Sequence, residues 1–328
     1  MLASITKLIE TIMRITSLFK IVTALFLLLG LILQLLWTPD TDWQEMRDKY
    51  GHPDSQLVEL SNGVKIHYRD FGNSQSQAII LIHGTSDSLL TWDAIAPYLE
   101  NDYRLISLDL PGHGFSSAHP QANYSRGAMV ESVKLLMDYL NVDSASLIGN
   151  SLGGGIAWRT ALSYPDRVNS LVLLDPSGAP LMMRSKSNIG FRLMRSPIGR
   201  IIAKKITPRA LVKKSLTDTV QDDAIVSEKL VDRYWELLRL PGNRQALTEL
   251  AMVPHDQLAW NNIADLNQAT LIIWGATDQL IPVSSGALFH DELLNSQLIV
   301  YPEIGHLPMI EAAQTTANDI HQFLKGLN

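Results

Sequence analysis

The chain has 328 residues, a net charge of −6, 46% hydrophobic residues and no cysteine. That length accommodates one sizeable α/β domain with an insertion, and the missing cysteines exclude disulfides, thiolate metal sites and a cysteine nucleophile. The acidic balance argues against a nucleic-acid partner. In chain order, the first strong signal is Ile21 to Trp37, an uncharged apolar run of 17 residues, the length of a short transmembrane helix. Lys7, Arg14 and Lys20 precede it and Asp40, Asp42 and Glu45 follow it. By the positive-inside rule the N-terminus stays in the cytoplasm and the rest lies outside, in the periplasm of a Gram-negative cell. Bulky Leu35, Leu36 and Trp37 offer no small-residue cleavage site, so residues 1–37 read as a cytoplasmic flank and uncleaved signal-anchor, with a cleaved signal peptide as the alternative. Leu8 to Phe19 extends the apolar face as an interfacial segment.

Residues 38–56 are polar and read as a connector to a single domain over 57–327. Two strands, Leu57 to Leu60 and Val64 to Asp70, are joined by Ser61-Asn62-Gly63, the signal of a tight hairpin. Strands and helices then alternate: Ala78 to Ile82, a helix near Thr91 to Glu100, Arg104 to Leu108, a helix over Ser125 to Leu140, Ser144 to Ile148, the helix after Ser151, and Asn169 to Leu174. This pattern predicts a mostly parallel sheet with helices on both faces. It stops between Pro176 and Leu266, where helix-like sequence takes over, and resumes with the strands Ala269 to Trp274 and Gln297 to Tyr301.

Three segments carry chemistry. Gly149-Asn150-Ser151-Leu152-Gly153-Gly154 follows the strand ending at Ile148 and opens a helix. A serine at the apex of such a turn sits on strained backbone, and small neighbours such as Gly149 and Gly153 let adjacent chain pass close by. The turn projects the Ser151 hydroxyl as a nucleophile and leaves the Leu152 N–H at a helix N-terminus, where it favours an oxyanion. A serine needs a base, and the base an orienting acid. His306 follows the strand ending at Tyr301, and Asp278 follows the strand ending at Trp274. All three lie just past the C-terminal ends of strands, where open α/β sheets place their sites. Asp175, past Leu174, is an alternative acid. Trp92, Trp158 and Trp260 read as packing residues, Trp260 also as a possible pocket wall. His255 and His290 have no motif around them.

His83-Gly84, Asp109-Leu110-Pro111-Gly112-His113-Gly114-Phe115-Ser116, the elbow at Gly149 to Gly154, Trp274-Gly275-x-x-Asp278 and Gly305-His306 together resemble the α/β-hydrolase superfamily over residues 57–327. The resemblance implies that the Thr85 backbone N–H is the second oxyanion donor, and that the insertion over about 177–266 is a helical cap above the site. Asn150 is then elbow support, and His83, Asp109 and His113 brace turns. Within the superfamily the elbow is similar both to bacterial lipases and esterases and to carbon-carbon bond hydrolases of the meta-cleavage type. The serine argues against the branches that use an aspartate nucleophile.

No phosphate loop, dinucleotide motif or clustered metal pattern is present, and no cofactor or metal is inferred. From Pro176 to Thr217 there are ten basic residues and no acidic one. Those between 184 and 214 alternate with apolar residues, a character suited to an anionic membrane surface, or simply to a solvated basic face. The favoured expectation is a membrane-anchored hydrolase of small-molecule or lipid esters. A carbon-carbon bond hydrolase and a non-catalytic anchored binding protein are the alternatives. The sequence does not speak to oligomeric state.

Overall fold

The structure is a computed structural model that describes residues 2–180, 194, 196–254 and 257–327. Its centre is one sheet of eight strands: β1 (Ser55–Glu59), β2 (Lys65–Gly72), β3 (Ala78–Ile82), β4 (Arg104–Leu108), β5 (Ala145–Asn150), β6 (Val168–Leu174), β7 (Ala269–Gly275) and β8 (Ser296–Tyr301). The order across the sheet is β1-β2-β4-β3-β5-β6-β7-β8. β2 is antiparallel to β1 and β4, and the remaining neighbours run parallel. β3 and β5 are buried along their whole length, as parallel strands covered on both faces must be. Successive side chains feed opposite faces. Ile80, Ile82, Leu147, Leu171 and Ile272 pack on one side, and Ile79, Leu81, Ile148, Val172 and Ile273 on the other.

The helices, in chain order, are α1 (Leu2–Leu35), α2 (Trp43–Tyr50), α3 (Arg126–Tyr139) and α4 (Leu152–Ser163), then α5 (Pro197–Ala203), α6 (Arg209–Thr217), α7 (Glu228–Leu238), α8 (Asn243–Leu250) and α9 (Gln257–Asn261) between β6 and β7, and finally α10 (Ser284–Glu292), α11 (Pro308–Glu311) and α12 (Ala313–Lys325). α3 and α4 cover the first face through Met129, Val133, Ile156 and Trp158, and α12 covers the second through Ile320, Phe323 and Leu324. β3 neighbours both β4 and β5, so the chain leaves it first to one side and then to the other. Loops diverge from the strand ends at such a reversal and leave a crevice.

Three sequence expectations change. α1 is one continuous helix of 34 residues, so Leu8 to Phe19 is not a separate element. It contains a stretch, Ile5–Leu35, long and apolar enough to cross a membrane and with none of it buried against the protein. Residues 38–56 are not a free connector. Asp42 caps α2 by accepting from the Glu45 N–H at 2.8 Å, and Thr38, Asp40 and Thr41 bond to the helices between β6 and β7. There the Arg244 guanidinium donates to Thr38 O at 2.8 Å and pairs with Asp40, and the Thr41 hydroxyl donates to Glu236 O at 2.9 Å. The β1–β2 connection is the expected Ser61-Asn62-Gly63 turn, closed by the Leu60 N–H donating to Val64 O at 2.9 Å, with the Asn62 side chain accepting from the Val64 N–H and Gly63 at φ +79°. The helix expected over Thr91 to Glu100 is instead two 3-10 turns, Leu89–Ala94 and Ala96–Tyr98. Pro97 lacks an N–H and disfavours helical backbone at Ala96, which breaks the run.

The basic stretch also reads differently. Arg184, Lys186, Arg192 and Arg195 lie outside the described residues. Lys204 pairs with Glu249, Arg209 with Glu228 and Asp232, Lys213 with Glu228, and Lys214 with Asp218. Acidic residues C-terminal to the stretch thus pair with four of its ten basic residues.

Candidate active site

Strand ends assemble the site. β5 ends at Asn150, and Ser151 follows with φ +54° and ψ −114°, a left-handed backbone that a non-glycine residue adopts only when its surroundings impose it. Here the Ser151 N–H donates to Leu174 O at 3.0 Å, and Ser151 O accepts from the N–H groups of Gly155 and Ser177. A Cβ on Gly149 would strike the Gly153 backbone, and one on Gly153 would strike Ile82 O. The two glycines therefore let α4 start hard against β5 and β3. Leu152 is the first residue of α4, so its N–H has no intrahelical acceptor.

Asn150 does more than support the elbow. Its amide donates to Leu174 O at 3.2 Å and to His306 O at 3.0 Å. The Ser151 turn and the His306 loop are thereby fastened together. The His306 ring donates from Nδ1 to Asp278 Oδ2 at 2.6 Å. Asp278 Oδ1 accepts from the Leu280 and Ile281 N–H groups at 2.7 and 3.1 Å, which fixes the carboxylate. Both side chains are buried.

Asp175 stands beside this pair. It is fully buried with φ +44°, and its Oδ1 accepts from the Gly275 N–H at 2.9 Å. A carboxyl oxygen of Asp175, one of Asp278 and a ring nitrogen of His306 all lie within 4.8 Å of one another. Burial, and then the neighbouring Asp278 charge, push the Asp175 carboxyl well above the usual carboxylate range. The protonated form of Asp175 is favoured accordingly. These three are the group of buried acids and histidine that could share a metal ion among the described residues, but the Asp278–His306 hydrogen bond already engages the facing atoms of two of them.

Two residues that the sequence reading missed hold the His306 loop. The Glu311 carboxylate accepts from the N–H groups of Gly305, Leu307 and Gln221 at 2.7 to 3.1 Å. The signal was present: Pro308 followed by Glu311 is a helix-start pattern whose acid reaches back to the preceding N–H groups. Thr219 O accepts from the His306 N–H at 2.8 Å, a contact across distant sequence with no local signal.

The bracing residues form their own network. Asp109, fully buried, accepts from His67 Nδ1 at 2.7 Å and from the N–H groups of Leu89 and Phe115. Burial alone would raise its pKa, but His67 and these donors hold it below the ordinary range. His83 accepts the Leu110 N–H at Nε2, so Nδ1 carries the proton and donates to Gly84 O at 2.7 Å. Burial lowers the His113 pKa to about 3, leaving it neutral. Trp260 packs edge-on against Trp158 and Phe289 in the core, and does not line the pocket. Trp92 is likewise buried, and His290 bonds Ser296 on the surface. His255 lies outside the described residues.

Above Ser151 and His306 is a cavity of about 380 Å³. Its floor is Gly84, Thr85, Ser86, Asn150, Ser151 and His306, and its walls include Ile202, Ile206, Leu211, Val212 and Leu247. Thr85 thus lies at the same cavity as Ser151, reached from β3 while Ser151 is reached from β5. Arg244 and Thr207, which bond the segment leaving α1, reach the same cavity.

Comparison with known proteins agrees with this architecture. The chain is 28% identical over 264 residues to an uncharacterised hydrolase, YugF, of Bacillus subtilis, covering 80% of this chain and 96% of that one. It is 28% identical to the 2-hydroxymuconate semialdehyde hydrolase of a Pseudomonas strain, covering 81% and 92%. A solved bacterial membrane phospholipase A matches with a TM-score of 0.71 to 0.72 in company with other hydrolases, its own value being 0.72, at 25% identity over 94% of this chain and 98% of that one. The family model described as the alpha/beta hydrolase fold matches residues 77–313, and the chain belongs to that family.

Proposed function

We propose that the protein is a membrane-anchored serine hydrolase that cleaves carboxylic esters with apolar acyl groups. The observation that carries this reading is the cavity itself, which begins at Ser151 and His306 and is walled largely by aliphatic side chains. The aliphatic wall takes up hydrocarbon, and Asp87 and Arg244 also reach the lining. In the proposed cycle His306 takes the Ser151 proton as Oγ attacks the ester carbonyl, and the N–H groups of Thr85 and Leu152 hold the oxyanion. His306 then protonates the leaving alcohol, and water repeats the sequence on the acyl-enzyme to release the acid. Asp278 holds the His306 tautomer and stabilises the imidazolium.

α1 is proposed as the anchor, its Ile21 to Trp37 portion spanning the bilayer, with the N-terminus cytoplasmic and the sheet outside. The likeness to the membrane phospholipase A supports this, because it extends over 94% of the chain. The second reading is a carbon-carbon bond hydrolase, favoured by 28% identity to the semialdehyde hydrolase, a likeness that covers 81% of the chain. Rates on a chain-length series of p-nitrophenyl esters, with the full chain in detergent and Ser151→Ala alongside, decide between them. Ester turnover that Ser151→Ala removes supports the proposal. A folded wild-type chain that is silent on every ester but turns over a meta-cleavage product supports the second reading.

A further inference from the structure

α5 faces two ways. Gly199, Ile202 and Ala203 line the cavity, whereas Ile198 and Ile201 are 72% and 71% exposed. The place of this helix relative to α1 is tied down by hydrogen bonds. The Thr38 N–H donates to Lys205 O at 2.9 Å, and the Thr207 N–H donates to the Thr38 hydroxyl at 3.0 Å. The Lys205 ammonium lies 5.2 Å from the Trp37 ring centroid. Only Leu36 and Trp37 lie between the end of α1 and Thr38, a span of at most about 11 Å even when extended. The exposed face of α5 therefore sits at the level where the apolar helix ends. Of the basic residues around it, Lys204, Arg209, Lys213 and Lys214 pair with acids within the protein and Lys205 lies over the Trp37 ring, while Arg200 stands on α5 between the two isoleucines, so a high-salt arm must separate an apolar contact from adsorption through charge.

We propose that Ile198 and Ile201 insert into the phospholipid bilayer that α1 spans, so that the cavity wall built by the inner face of α5 is the side from which an acyl chain enters. This rests on the reading of α1 as an anchor, and it deepens the ester reading by naming the substrate class: esters resident in the same bilayer. Partitioning of two isoleucines at a headgroup boundary is an apolar contact and depends little on salt, unlike adsorption through unpaired cations.

The absence of cysteine makes a direct test possible in the full chain. Ile198→Cys carries an environment-sensitive fluorophore in phosphatidylcholine vesicles with brominated acyl chains. Leu294→Cys, 90% exposed in the loop before β8 at the opposite end of the strands, is the control. The expected result is quenching by the bromines at 198, retained in high salt, and none at 294. Equal access of aqueous iodide to both labels, quenching at both, or loss of the 198 signal in high salt would overturn the proposal. In a second arm, Ile198→Glu with Ile201→Glu is expected to slow hydrolysis of an ester embedded in the vesicle about tenfold and that of soluble p-nitrophenyl butyrate less than about twofold. Quenching at 198 in a chain that hydrolyses neither ester would support the membrane contact and refute the ester reading alone.

Discussion

On the sheet side of the cavity, Ser151, Asp278 and His306 stand on backbone fixed by glycines, strained dihedrals and charge-assisted hydrogen bonds. On the opposite side, Ile202, Leu211, Val212 and Leu247 offer hydrocarbon, and Arg244 and Thr207 of that layer bond the segment leaving α1 while also reaching the cavity. One side holds atoms at defined points and the other excludes water from a volume. Sub-ångström change on the first side therefore affects chemistry, while on the second only size and apolarity matter.

The largest effect that sharpens this contrast is Ser151→Ala, expected to lower ester hydrolysis by at least about 10⁴-fold with an unchanged circular dichroism spectrum. Initial rates on a p-nitrophenyl ester measure it. Asp278→Asn is expected to cost about 10⁴-fold in kcat, since it strands His306 in the wrong tautomer. If it kept near-normal activity while Asp175→Asn lost it, the acid would have been misassigned. Gly153→Ala drives a Cβ into Ile82 O and is expected to destabilise by about 3 kcal/mol, read as a fall in the chemical-denaturation midpoint. By contrast, Leu211→Met on the apolar wall is expected to cost less than about 1.5 kcal/mol and to alter only the preferred acyl length.

Asp175→Asn carries the smallest effect and the opposite sign. The native Asp175 carboxyl titrates above its unfolded counterpart, so the native state binds more protons as pH rises past the unfolded value of about 4, and stability falls with pH. Removing that titration is expected to raise Tm at pH 7 and to change it less at pH 4. A Tm gain that is the same at both values would show that Asp175 titrates alike in the native and unfolded states.

The succession of strands along the chain and the places of Ser151, Asp278 and His306 just past strand ends were legible because each depends on a few adjacent residues: an apolar run, then a turn that only certain residues permit. Strand ends moved by a residue or two, as at Ala145–Asn150 and Ser296–Tyr301. What escaped the sequence is long-range. The Thr219 carbonyl on the His306 N–H, the packing of Trp260 away from the cavity, and the docking of Thr38 and Asp40 all join segments far apart in the chain. The partners of Lys204, Arg209 and Lys213 were hidden for the same reason, since Glu228, Asp232 and Glu249 lie beyond the basic run in sequence and return only on folding.

The hydrogen bond from the His306 N–H to Thr219 O also constrains how the roof of the cavity can open. The roof hands one of its own carbonyls to the loop that carries the imidazole, so under the proposed mechanism any lifting of the roof at Thr219 would also shift the group that is to take the Ser151 proton.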